Sequence, residues 1–146
     1  MAKATGFDFD HETGDLKMNA GDTGAFLVHC NRGSGETWPD TARMLFTVKN
    51  AQGEIVMQRI YRMDDQYGLG DGVVMIEFHN NDTDEWDSGD YTMERRYNVN
   101  PIWEGTPSSA RCVDALAAGA AKMIEGIPVR TVFIGTLHID GVQGRI

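Results

Sequence analysis

Cysteine is scarce in this sequence. Cys30 and Cys112 are the only two among 146 residues, far apart and outside any C-x-x-C pair. They offer no disulfide framework and no thiolate metal site, so reduced, buried thiols are expected. Basic residues are also few, 13 Lys and Arg against 22 Asp and Glu, for a formal net charge of −9. Such a chain lacks the basic footprint of a nucleic-acid binder and the attraction to anionic membrane surfaces. The charge suits solubility, a basic partner or a cation. No apolar run approaches the roughly 18 residues that span a bilayer. The opening MAKATGFDFDHETGD lacks the apolar centre of a signal peptide, so synthesis in a cytoplasm is expected.

What is present reads as strands and turns. The length suits one domain, and the hydrophobic share of 41% implies a modest core. A thin two-layer architecture fits it. Residues 1–14 read as a polar arm and 15–146 as one domain. Ala42, Met44, Phe46 and Val48 alternate with Arg43, Leu45, Thr47 and Lys49, the period of a half-buried strand. Asn50-Ala51-Gln52-Gly53 is a hairpin connection to a second strand over Ile55–Tyr61. Val74, Ile76 and Phe78 alternate again, as do Tyr91, Met93, Arg95 and Tyr97, and a last strand covers Thr131–Ile139. Residues 31–41 and 98–110 read as long loops, and 111–123 as strand or irregular structure because Gly119 interrupts its alanines. With 17 Gly supplying turns, the pattern predicts an all-β antiparallel sandwich of about seven to eight strands.

Three residue sets could carry chemistry. Ten carboxylates and no Lys or Arg lie between Asp64 and Glu94. Of these, Asp64, Asp65, Asp71, Asp82 and Asp84 are weak Ca²⁺ candidates, because that cation needs six to eight oxygens from converging loops. The ordered D-x-[DN]-x-[DN]-G spacing is absent, and Asp and Asn favour turns for local reasons. No metal or other cofactor is assigned. His11, His29, His79 and His138 stand singly, without zinc spacing. There is no G-x-S-x-G elbow, and the glycines at 68, 70 and 72 lack phosphate-loop spacing, so no catalytic residue is assigned. Trp38, Trp86, Trp103 and Tyr67 fall in or beside loops. Large rings there are candidate binding residues, since aromatic side chains cover area at low entropy cost.

The order of these segments has a counterpart. The Phe46-x-Val48-Lys49 strand is followed by Val74–Phe78, then Asp82-Thr83, Gly89, Tyr91 and Glu94, and finally Gly135, Leu137 and Ile139. This resembles the Ig-like N-terminal domain of phage upper-baseplate and related tail-fibre proteins, over about residues 15–140. The resemblance implies an Ig-like sandwich in which Tyr91 acts somewhat like a tyrosine corner. It implies a non-enzymatic structural protein of the virion, in tail, baseplate or capsid decoration, made in the host bacterial cytoplasm. Its partners would be other virion proteins and further copies of itself in a symmetric assembly. A carbohydrate-binding host-recognition module is the alternative, and a small hydrolase using two of the Asp a more distant one.

Overall fold

The structure is a computed structural model describing residues 7–30, 37–64, 70 and 72–140, with 125–133 described as backbone. Its strands are β1 (Asp8–Phe9), β2 (Leu16–Asn19), β3 (Gly24–His29), β4 (Arg43–Lys49), β5 (Ile55–Arg62), β6 (Val73–Phe78), β7 (Gly89–Glu104), β8 (Cys112–Asp114) and β9 (Lys122–Asp140). One helical turn, α1 (Asn80–Thr83), joins β6 to β7. Seven strands form a curled sheet in the order β1-β2-β9-β7-β4-β5-β8, and β3 pairs with β6 in a second sheet. The protein is an all-β sandwich.

The core follows the alternation. Met44, Phe46 and Val48 of β4 are fully buried, and Phe26, Val28, Val74, Ile76 and Phe78 meet them from the second sheet. Phe46 sets its edge against Phe78, with ring centroids 6.3 Å apart. Hairpin β4–β5 turns as its residues require: the Asn50 carboxamide oxygen accepts the N–H of Gln52 and of Glu54, and Gly53 takes a left-handed φ of 81°. At α1 the Asp82 carboxylate accepts the His79 N–H at 2.7 Å, occupying a donor that the short helix leaves open. Tyr91 does form a tyrosine corner, its hydroxyl donating to the Asp87 carbonyl at 2.8 Å.

Several expectations change. The sandwich is not wholly antiparallel, because β2 runs parallel to β9, with Leu16 opposite Leu137. Nearly the whole chain connects these two strands, so no hairpin dictates their direction. The polar arm expected over 1–14 is, in its described part, structured. β1 pairs with β2, and the Phe9 ring stacks on Phe26 at 4.2 Å. Phe7 and Phe9 hide a period of two among acidic neighbours. Residues 98–104, read as loop, continue β7, and β9 begins well before Thr131. The β7–β9 register shifts at Met93/Glu94, Tyr97/Asn98, Asn98/Pro101 and Ile102/Trp103. Each bulge breaks the alternation by which a strand is recognised, and Pro is tolerated at such places.

Candidate functional site

The outer face of the large sheet is covered on one side. Residues 105–121 join β7 to β9 and include β8, which extends the sheet beside β5; parts of the segment line a depression with Arg43 and Ile60 of β4 and β5. Of these two, Ile60 is buried but outside the main core, and Arg43 is only 9% exposed. The Arg43 guanidinium donates through Nη1 to the carbonyls of Asp40 and Ala42. Burial, and after it the nearby Arg62, lowers its pKa, while Asp64 and Asp40 oppose that shift. Arg62 sits opposite Arg43 across β4–β5 and grips Asp64 with two bonds, of 3.1 Å from Nε and 2.8 Å from Nη2.

Trp103 lies half-buried against this layer and borders two depressions. One, about 140 Å³, is enclosed by Arg43, Ile60, Val113 and the segment 106–121. The other is an open groove of about 410 Å³ between Asp40, Thr41, Arg62, Asn100, Pro101 and Ser109. An apolar ring beside an Arg–Asp fork and amide and hydroxyl groups can stack on one face of a ligand while bonding its polar edge. Arg43, Arg62 and Asn100 were not legible as site residues. Arg43 is an ordinary alternating strand position, Arg62 follows the strand read over Ile55–Tyr61, and Asn100 lies in a stretch read as loop; the sheet and the segment beside it bring them to one groove.

The other candidates separate. Trp38 is 4% exposed and donates from Nε1 to the Cys30 carbonyl at 2.9 Å. It is a core residue, not a contact residue, because its ring packs edge-on against Tyr97 at 5.6 Å. Trp86 is half-buried and stacked on Tyr91 at 5.0 Å, closing that corner. Tyr67, Asp65 and Asp71 lie outside the described residues.

Part of the acidic stretch is paired with arginines outside it. Arg59 pairs with Asp82 at 2.7 Å, Arg62 with Asp64 at 2.8 Å, and Arg111 with Glu77 at 2.8 Å. Asp84 ends α1, beside Gly21. Among the described residues no three His, Cys, Asp or Glu side chains gather as metal ligands. His138, read as solitary, is held by Asp90, its cross-strand neighbour, at 2.6 Å and by Asp140 at 3.3 Å. The Asp90 hydrogen bond leads in raising its pKa. Both cysteines are free, and burial pushes the Cys30 thiol up to about 11, far from the thiolate a nucleophile needs. His29 and Cys30 face opposite ways, one exposed and one buried.

Among the described residues no helix is long and apolar enough to cross a membrane. Compared with known protein families, with curated proteins and with solved structures, the chain matches none.

Proposed function

We propose that this chain is a structural protein of a phage particle, a tail, baseplate or capsid-decorating component, that works by protein–protein assembly and not by catalysis. The observation that carries assembly is the end of the β7–β9 ribbon. β4 stops pairing with β7 at Asn98, opposite Arg43, while β7 and β9 continue together to Glu104 and Lys122. On that extension Ile102 and Ile124 are each 56% exposed. Two branched apolar side chains held on a projecting ribbon fit the centre of an interface. The phage setting comes from the resemblance carried by Asp82–Glu94 and Gly135–Ile139.

The test is mass spectrometry of purified particles from a phage encoding this chain. The chain should be present in fixed proportion to other virion proteins. Replacing Ile102 and Ile124 together by Asp should leave a folded protein whose incorporation falls roughly tenfold or more, the effect of losing about 1.4 kcal/mol at an interface. Particles without the chain would sink the proposal.

A second reading, recognition of a host-surface glycan, is favoured by the Trp103 groove. On a glycan array the chain would then bind a defined sugar, and Trp103→Ala would abolish that binding while leaving the fold intact. An array without signal removes this reading.

A further inference from the structure

The described arginines are not all partnered alike. Arg59, Arg62 and Arg111 each hold a carboxylate. Arg95 holds none, but its guanidinium sits over the Tyr97 ring, 5.6 Å from the centroid, and its unbonded Nε is enclosed. Arg43 is the most buried of them, and it too lacks a carboxylate. Its bonds run from Nη1 alone, to the main-chain carbonyls of Asp40 and Ala42. Asp64 is committed to Arg62 by two bonds, and the exposed Asp40 makes no ion pair with Arg43. A guanidinium keeps its charge throughout the working pH range, and a buried charge without a counter-charge is costly.

The remaining donors of Arg43 are open to a ligand. Nε and Nη2 bond no described residue, and they are not shut away. Among the described residues, the enclosed side-chain atoms without a partner are Tyr61 Oη and Arg95 Nε. Arg43 lines both depressions beside Trp103. The larger, about 410 Å³, has the size of a small-ligand site. The half-buried Trp103 offers an apolar ring, and the exposed Thr41, Asn100 and Ser109 offer hydroxyl and amide groups. Two bonds fix the sides of this groove: Arg62 Nη1 donates to the Ser109 carbonyl at 3.1 Å, and the Thr41 hydroxyl to the Val99 carbonyl at 2.9 Å.

We propose that Arg43 anchors a site for an acidic sugar: a uronic or sialic acid residue of a glycan sets its carboxylate on the Nε–Nη2 edge and lays its ring against Trp103. This rests on the glycan reading of the groove and names the class of sugar. The Nε and Nη2 donors run parallel and match the two oxygens of a carboxylate. One unpaired cation calls for one negative charge. A phosphate monoester carries nearly two at neutral pH, and Asp40 and Asp64 beside Arg43 repel the surplus. The net charge of −9 acts against a polyanion in the same way. A sugar suits the rest of the groove, since its ring has an apolar face for the indole and hydroxyls for the polar rim.

The test is an array of uronic- and sialic-acid glycans, each beside its carboxyl-reduced counterpart, probed with the purified chain. At least one acidic glycan should bind roughly tenfold or more above its reduced form, the effect of a hydrogen-bonded charge. Arg43→Met should lose that preference and keep the wild-type unfolding midpoint or raise it, because it removes a buried charge that lacks a counter-charge. Arg43→Lys keeps the charge without the fork and should retain only part of the preference. Equal binding to acidic and reduced forms overturns the inference and leaves the glycan reading standing. Binding to neither removes both. An acid preference that survives Arg43→Met places the carboxylate elsewhere and also overturns the inference. If Arg43→Met does not fold, Arg43→Lys decides, an undiminished preference being the overturning result.

Discussion

Trp38→Ala is expected to cost about 3–5 kcal/mol of stability, the usual loss for a buried Trp truncated to Ala. For a domain of this size that lowers the unfolding midpoint by on the order of 10 °C. The ring fills the end of the core beside Tyr97, and its N–H holds the Cys30 carbonyl. The same point is crowded by Gly72, at a φ of 77°, whose carbonyl accepts the Cys30 N–H. Removing the indole leaves a cavity and frees a carbonyl where β3 and β6 end together. Trp103→Ala is the control. Its ring is half-buried on the outer layer and borders an open groove, so its removal should shift the midpoint far less. Urea unfolding of the two variants decides the matter. Equal and small losses would mean that Trp38 does not anchor the core.

Gly14→Ala should be nearly as severe. Gly14 has a φ of 80°, a conformation that costs an L-residue about 1–2 kcal/mol. A Cβ there would also strike the Ile134 carbonyl. Gly135 stands on the other side of the same gap, and a Cβ on it would strike the Gly14 carbonyl. The gap is held closed by the Thr136 N–H donating to Asp15 Oδ1 at 3.0 Å. We expect a loss of about 2–4 kcal/mol for Gly14→Ala, strain and overpacking together, and about 1–3 kcal/mol for Gly135→Ala, overpacking alone. The double variant should cost less than the two losses summed, because one separation of the backbones relieves both contacts. Thermal unfolding of the three variants checks this. Strict additivity would show that the two glycines do not share a gap, and that the β1–β2 hairpin is held to β9 some other way.

Much of the sandwich was legible from local pattern. Where a strand is regular and one face is buried, side chains must alternate, and β4, β6 and the first half of β7 announce themselves, with β5 following from the hairpin at Asn50–Gly53. Tyr91 was legible too, because its hydroxyl reaches a carbonyl only four residues back. Where bulges and Pro101 interrupt the period, the second half of β7 and the start of β9 read as loop. The ribbon bearing Ile102 and Ile124 therefore had no signature.

Side-chain roles were less legible than strands. Trp38 and Trp103 both stand beside Pro, turn formers and polar residues, yet one is core and the other borders a groove. The difference lies in what folds over each ring. The carboxylates between Asp64 and Glu94 look unopposed along the chain, but Arg59, Arg62 and Arg111 reach three of them from β5 and from the residue before β8. Arg62 and Asp64 are only two residues apart, but Arg59 with Asp82 and Arg111 with Glu77 join residues distant in sequence, so no spacing rule reveals them.

By itself the sequence determined the all-β class, the hairpin at Asn50–Gly53, the inward faces of four strands and the acidic, cysteine-poor character of the chain. These follow from short-range chemistry: side-chain alternation, turn preference and charge. Only the tertiary structure decided that β2 runs parallel to β9, that Trp38 is interior, and that arginines pair with Asp64, Glu77 and Asp82 of the acidic stretch. Each of those depends on which distant segments the curled sheet brings side by side, and the burial of the whole core, not any local preference, selects that arrangement.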